Sequence, residues 1–241
     1  MLSKSQIKLI NSLKQKKYRT KHKLFFVEGK KSVIEFLNSN FELYNLFYTD
    51  NFTETFKLSN NSVLVTNQEL NKISALKNAN DVLAIFKIPD NIISSNNGLS
   101  LVLDDIKDPG NLGTIIRLCD WFGIKQLICS LETVDCYNPK VVQASMGSLT
   151  RINIVYTDIT KYIKNSKLPV FVSLIDGKNI YKTTLPKEAI IIMGNEANGI
   201  SNEIINLATN KISIPSFGDL QQTESLNVAT ATAIILSEFK R

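Results

Sequence analysis

Polar side chains that could bind and position a reacting group follow three short apolar runs of this 241-residue chain. In chain order they are Asn111 and Arg117, then Glu196, then Ser225 and Asn227. A guanidinium group suits a phosphate or a developing alkoxide. Ligands of open α/β sheets bind in the crevice at the ends of strands. The pattern therefore predicts one ligand site, built from loops that follow strands.

The first of these segments has the composition of a strand end, a turn and a helix start. Pro109 and Gly110 favour a turn, and Asn111 is a favourable N-cap residue for the helix that follows. Arg117 lies on the same helical face as Gly113, so its guanidinium could project toward the helix N-terminus. Surface ion pairing is the alternative role for Arg117, with Asp104, Asp105 or Asp120 as its partner.

Residues that could bind a metal are sparse. An acidic group in the first segment could suggest a magnesium site for phosphoryl chemistry; its members are Asp104, Asp105 and Asp108. No Walker-type phosphate loop accompanies them, which favours turn and capping roles. The cysteines lack CxxC spacing and read as small apolar core residues; they are Cys119, Cys129 and Cys136. We therefore expect no metal site.

Alternating helix and strand patterns divide the chain into two parts. In the first 90 residues they predict helices over 5–16, 30–37 and 68–76, and strands over 24–27, 43–48, 62–66 and 82–86. Beyond a polar break they predict strands over 99–103, 124–129, 152–155, 170–174, 189–193 and 211–214, with helices over 112–122, 139–148, 159–165, 202–208 and 226–239. This alternation predicts a parallel sheet covered on both faces. The predicted domains are 1–90 and 99–241, joined by a linker at 91–98.

The net charge of +6 lies in the N-terminal domain. Residues 1–90 hold 14 Lys and Arg against 8 Asp and Glu, whereas residues 91–241 hold 14 of each. The densest basic run is Lys14, Lys16, Lys17, Arg19, Lys21 and Lys23. This charge distribution is typical of proteins that bind nucleic acid, and a solvated surface is the alternative. Neither a secretory signal nor an apolar run long enough for a membrane span is present, so we expect a cytoplasmic protein.

The order of the C-terminal segments carries a resemblance to a known family. Segments 108–117, 193–201, 212–215 and 225–228 resemble the signature motifs of the SpoU/TrmH family of RNA ribose 2′-O-methyltransferases, within the SPOUT superfamily. The N-terminal pattern that ends in Phe26, Val27, Glu28 and Gly29 resembles that family's RNA-binding domain, related to ribosomal protein L30e. The likeness spans residues 3–239.

The resemblance implies a fold and a function that spacing alone does not. The fold would be α/β: a Rossmann-like SPOUT parallel sheet with a deep trefoil knot, preceded by a small α/β/α L30e-like domain. S-adenosylmethionine (SAM) would be held by the backbone around Gly194, Ile214 and Leu226. Catalysis would rest on Asn111, Arg117, Glu196, Ser225 and Asn227. The substrate would be structured RNA, with 23S ribosomal RNA favoured, and the protein would be a homodimer through the knotted domain.

Individual roles also follow from the resemblance. Arg117 would engage a phosphate or lower the pKa of the 2′-hydroxyl, Asn111 would orient substrate, and Glu196 would support Arg117. Departures from the family pattern are Ala197 for a common Gly, Gln143 for a frequent Arg, Ser216 for the usual Met, and about three extra residues between Ile214 and Leu226.

Three other functions fit parts of the pattern. Transfer RNA could replace ribosomal RNA as the methyl acceptor, although an N-terminal domain related to a ribosomal protein favours ribosomal RNA. A non-catalytic RNA-binding or ribosome-assembly protein is disfavoured because Asn111, Arg117, Glu196 and Asn227 are all present. A nicotinamide-dependent dehydrogenase is disfavoured because no GxGxxG follows the strand at 99–103.

Overall fold

The computed structural model describes residues 2–52, 61–90, 92–93, 98–218 and 225–241. Up to residue 90 its elements are α1 (Lys4–Ser12), α2 (Lys16–His22), β1 (Leu24–Glu28), α3 (Lys30–Leu37), β2 (Leu43–Tyr48), β3 (Ser62–Leu64), α4 (Asn67–Ile73) and β4 (Val82–Lys87). From residue 98 they are β5 (Leu99–Asp104), α5 (Pro109–Trp121), β6 (Gln126–Cys129), α6 (Pro139–Ser145), β7 (Asn153–Tyr156), α7 (Ile159–Lys164), β8 (Val170–Asn179), β9 (Ala189–Gly194), α8 (Asn202–Leu207), β10 (Asn210–Ser213) and α9 (Val228–Lys240).

Contacts divide the chain into two compact units. The first contains residues 1–90 and 135–150, and the second contains residues 91–134 and 151–241. Segment 135–150, which the sequence assigns to the C-terminal domain, contacts the N-terminal residues because α6 packs on β1. The predicted linker at 91–98 lies mostly outside the described residues. No described helix is long and apolar enough to cross a bilayer.

The first unit contains a mixed sheet in the order β1-β4-β2-β3; of its described pairs, β2–β3 is parallel and the other two are antiparallel. Strand β1 is buried on both faces because its apolar residues alternate between two layers. Phe26 packs into the core formed with α1 and α4, which includes Ile10 and Leu70. Phe25 meets the rings of Phe36, Phe41, Phe86 and Tyr137.

The predicted helix over 5–16 is wrong in extent. A capping box between Ser3 and Gln6 starts α1, and the helix ends at Ser12, where the side-chain hydroxyl donates to the Leu9 carbonyl at 2.6 Å. A second helix, α2, then covers residues 17–22, for which the sequence analysis predicted no element. Its sequence is almost entirely polar, so apolar periodicity could not reveal it.

The second unit contains a six-stranded sheet in the order β10-β8-β9-β5-β6-β7, and every described pair in it is parallel. All six residues of the central strand β5 are buried, as expected for a parallel sheet covered on both faces. One covered face holds Val102, Ile128, Val172 and Ile192. The predicted α/β fold with a parallel C-terminal sheet is confirmed, and the knot stays a prediction.

Candidate cofactor and catalytic site

Helix α5 begins three residues earlier than the sequence indicates. Its N-cap is Asp108, whose Oδ1 accepts a hydrogen bond from the Asn111 backbone N–H at 2.8 Å, and Pro109 occupies the first turn. The prediction that Asn111 caps this helix is therefore wrong. Because Asp108 performs the capping, the side-chain amide of Asn111 is available for other partners.

The three loops predicted from the sequence meet at Asn111. Its Nδ2 donates to Glu196 Oε1 at 2.6 Å, and its Oδ1 accepts from Asn227 Nδ2 at 2.9 Å. A carboxylate oxygen can only accept, so Glu196 determines which end of the Asn111 amide faces it. Asn227 is itself fixed, because its Oδ1 caps α9 by accepting from the Ala229 N–H at 3.0 Å. The side chains thus form one chain, Glu196–Asn111–Asn227, which we call the amide relay.

Arg117 is exposed on α5 and has no hydrogen bond or ion pair to any residue in the described ranges. The three acids that could pair with Arg117 at the surface have other partners. Asp104 accepts from the Ser201 N–H at 2.8 Å, Asp105 pairs with Lys107, and Asp120 pairs with Arg151 at 2.8 Å. Glu196 contacts Asn111 and makes no described hydrogen bond or ion pair to Arg117, so its predicted support of Arg117 stays a prediction. The guanidinium is left available for a substrate.

The loop after β9 is held by Asn195, which the sequence analysis did not single out. Its Nδ2 donates to the Asp105 carbonyl at 2.7 Å, and its Oδ1 accepts from the Ala197 and Asn198 N–H groups. Gly194 allows the chain to double back, because a Cβ there would lie 2.5 Å from the backbone of Gly199. These two hydrogen bonds form an Asx turn. An Asn in a short polar loop after a strand is the sequence signal that could have revealed the role of Asn195.

A cavity of about 870 Å³ opens beside this loop, at the ends of β9 and β10 and along the middle of β8. Its lining includes all three residues predicted to hold the cofactor, Gly194, Ile214 and Leu226, and also Ser225 and Glu196. Its charged lining residues, within the described chain, are Asp176 and Glu196, and none is Lys or Arg. Such a cavity favours an uncharged or cationic ligand over one with phosphates. The longer loop between Ile214 and Leu226 lies partly outside the described residues, at 219–224.

The potential metal ligands have structural roles. Asp104 and Asp108 accept backbone N–H groups at 2.8 Å, and no described group of three His, Cys, Asp or Glu side chains could hold a metal ion. Each cysteine is a buried thiol outside any disulfide. Burial raises the pKa of the Cys119 thiol, so it stays protonated and packs as an apolar side chain.

The basic run of the first unit contains one residue that cannot contact RNA as predicted. Arg19 is 2% exposed; its Nη2 pairs with Asp135 at 2.7 Å and its Nη1 donates to the Leu13 carbonyl at 2.8 Å. Its inclusion among RNA-binding residues is wrong, because its guanidinium already joins α2 to segment 135–150. The five lysines of the run are exposed: Lys14, Lys16, Lys17, Lys21 and Lys23. The Nζ of Lys14 donates to the Ser74 carbonyl at 2.8 Å.

Glu28 is an acid of the first unit whose carboxylate is held by hydrogen bonds. Burial raises its pKa, while hydrogen bonds from the Ser74 hydroxyl at 2.5 Å and the Ala75 N–H at 3.0 Å, together with Lys14, act in the opposite direction. Both carboxylate oxygens have partners, so Glu28 joins β1 to the residues that follow α4. We assign it a structural role.

Comparison with known proteins settles the family. The family model described as the SpoU rRNA Methylase family matches residues 98–237, which contain the amide relay, Arg117 and the cavity. The chain belongs to the SpoU rRNA methylase family. An MRM3-like substrate binding domain matches residues 4–84, which accords with the basic first unit. The family resemblance stated from the sequence motifs is confirmed.

Several RNA methyltransferases are similar to this chain over almost its whole length. The 23S rRNA (guanosine(2553)-2'-O)-methyltransferase RlmP of Bacillus subtilis is 25% identical, over 96% of this chain and 94% of the relative. A TrmH-family structure from Porphyromonas gingivalis is 36% identical with a TM-score of 0.89, covering 99% and 98%. An AdoMet-bound rRNA methyltransferase from Sinorhizobium meliloti is 28% identical with a TM-score of 0.86, covering 100% and 95%. AdoMet is SAM, the cofactor expected from the sequence.

Proposed function

We propose that this protein transfers a methyl group from SAM to a ribose 2′-hydroxyl of ribosomal RNA, with 23S rRNA as the favoured substrate. The observation that carries the proposal is a cavity beside the amide relay. The charged residues of its described lining are both carboxylates. The cofactor is a sulfonium cation without phosphates, so it matches a wall that bears Asp176 and Glu196. The nicotinamide alternative fits poorly, since a pyrophosphate requires positive charge or a glycine-rich helix start.

The residues that would hold SAM are those of the cavity wall. Gly194 permits the close turn of the loop after β9, while Ile214 and Leu226 provide apolar surface at two other loops. Bound SAM supplies a methyl group that its positive sulfur has already activated. The protein must therefore position the 2′-hydroxyl and assist the loss of its proton.

Arg117 and the amide relay divide these tasks. The guanidinium of Arg117 has no partner in the described chain, so it can engage a phosphate and stabilise negative charge developing on the 2′-oxygen. Asn111 keeps one Nδ2 hydrogen beyond its bond to Glu196, and that hydrogen can orient the ribose. In this assignment Asn111 is held by Glu196 and Asn227, while Ser225 and Asn227 complete the pocket.

The proposed acceptor, partners and location follow from the first unit and the relatives. Of the two nucleic acids, only RNA carries a ribose 2′-hydroxyl, and the relatives RlmP and the Sinorhizobium meliloti enzyme are named for rRNA. We propose that the protein forms a homodimer through the second unit, on the basis of the family resemblance. We also propose a cytoplasmic location, because ribosomal RNA is present there. The alternatives remain methylation of transfer RNA and RNA binding without catalysis.

The acceptor class can be tested directly. Purified protein incubated with labelled SAM and separate unmodified pools of 23S, 16S and transfer RNA should label 23S RNA. Label confined to transfer RNA would overturn the choice of acceptor and keep the chemistry. Stoichiometric RNA binding without label in any pool would support the non-catalytic alternative.

The exposed lysines of the first unit are expected to set the salt dependence of RNA binding. Changing Lys16, Lys17 and Lys21 to Gln should flatten the plot of log K against log salt by about 2 units, because each phosphate contact contributes roughly 0.7 to 0.9. Affinity for SAM should not change. Filter binding across a salt series measures the slope. A control variant that removes Lys164, Lys167 and Lys187, exposed in the second unit, should change it less, and an unaltered slope in the first variant would contradict the assignment.

A further inference from the structure

Part of the cavity wall comes from an interruption in the sheet. Consecutive residues Lys211 and Ile212 of β10 pair with Val172 and Lys178 of β8, so residues 173–177 leave the β8–β10 ladder. Four of these five residues line the cavity: Ser173, Leu174, Ile175 and Asp176. Like a β-bulge, such a shift of register redirects the side chains of the strand that carries the extra residues. We call residues 173–177 the β8 excursion.

The end of the β8 excursion is anchored firmly. Gly177 lies against the backbone of Ile212 so closely that any Cβ would overlap it, and the Ser213 hydroxyl donates to the Gly177 carbonyl at 2.8 Å. Asp176 precedes this anchor, so its position in the wall is defined by the backbone on one side. Ile175, which also lines the cavity, is a large apolar residue that is 79% exposed.

The two carboxylates of the cavity differ in what they already contact. Glu196 uses Oε1 in the amide relay. Asp176 has no hydrogen bond or ion pair to the part of the chain that the structure describes, and no cationic side chain of that part lines the cavity with it. Its negative charge is therefore not neutralised by a cationic side chain of the described cavity lining.

We infer that Asp176 is a specificity-determining residue that makes the cavity prefer the sulfonium cofactor over its neutral thioether product. This inference rests on the proposed function. When the 2′-oxygen forms its bond to the methyl carbon, the carbon–sulfur bond would break with its electron pair kept by sulfur, and the hydroxyl proton would pass to solvent water, so the positive charge on sulfur would disappear. The attraction between Asp176 and that charge disappears with it. Asp176 thus favours binding of SAM and release of S-adenosylhomocysteine.

Calorimetry with SAM and S-adenosylhomocysteine tests the inference without measuring turnover. Asp176→Asn should weaken SAM binding by about three- to tenfold, the scale of one charge–charge interaction at about 4 Å in water, and change S-adenosylhomocysteine binding by less than about twofold. Asp176→Glu, which keeps the charge, should retain the wild-type ratio of the two affinities. Glu203→Gln removes an exposed carboxylate of the same unit outside the cavity lining, and it should leave both affinities unchanged.

The possible failures are distinguishable. Equal weakening of both ligands in Asp176→Asn would overturn the inference, because it would mean that Asp176 contacts a group common to the two, such as the ribose or the ammonium group. Affinities for both ligands that stay unchanged in Asp176→Asn would overturn the inference as well. SAM binding by the unmutated protein would still leave the proposed function standing. Wild-type protein that binds neither ligand would overturn both the inference and the proposed function.

Discussion

Replacing Arg117 with Ala is expected to slow methyl transfer by at least ~100-fold, the scale for loss of one positioned charge-stabilising group. Affinity for SAM and the free energy of unfolding should stay close to wild type. Arg117 is exposed on α5 and contacts no described residue by hydrogen bond or ion pair, so its removal costs the fold little. The cavity lining does not include it.

Single-turnover methyl transfer, SAM calorimetry and thermal unfolding together separate these effects. Arg117→Lys should restore little activity, because an ammonium group lacks the planar fork that grips a phosphate in two places. Arg151→Ala is a matched control, since it removes an arginine of the same unit that pairs with Asp120 at the surface. Near-normal turnover in Arg117→Ala would remove this residue from the mechanism.

Replacing Arg19 with Ala is expected to lower the free energy of unfolding by about 3–5 kcal/mol, the cost of breaking a buried ion pair from one side. The substitution would leave Asp135 with its side chain only 14% exposed and without its cation, and would leave the Leu13 carbonyl without its donor. Because α2 and segment 135–150 are joined through this residue, the first unit should lose stability.

Chemical denaturation followed by far-ultraviolet circular dichroism measures the loss. The double variant Arg19→Met with Asp135→Leu should be less destabilised than Arg19→Ala, since no charge is left buried alone. Removing the exposed pair Arg151–Asp120 should cost no more than about 1 kcal/mol. A loss below that value in Arg19→Ala would show that this guanidinium is not part of the core of the first unit.

The placement of the site could be predicted from the sequence, because it depends on strand order and on loop residues. Apolar runs alternate with helices after residue 98, so their loops gather at one edge of a parallel sheet. Asn111, Glu196 and Asn227 do meet there. The residues assigned to the cofactor likewise line one cavity.

Three features of the structure could not be predicted from the sequence. They depend on competition between neighbouring residues or on long-range contacts. Asp108 and Asn111 are both good capping residues, and only the structure shows that Asp108 caps α5 and leaves the Asn111 amide for the relay. Arg19 lies among lysines in the sequence. In the fold it is buried and pairs with Asp135, a residue distant in sequence. The β8 excursion arises from a shift of register against β10, which no pattern within one strand reveals.

The central claim is that the methyl group goes to a ribose 2′-oxygen. The most direct measurement is methylation of unmodified 23S RNA with labelled SAM, followed by complete digestion and nucleoside analysis. The label should appear in a single 2′-O-methylated nucleoside, and an RNA with a 2′-deoxy residue at that position should accept none. Label in a base-methylated nucleoside, or undiminished transfer to the 2′-deoxy substrate, would contradict the account.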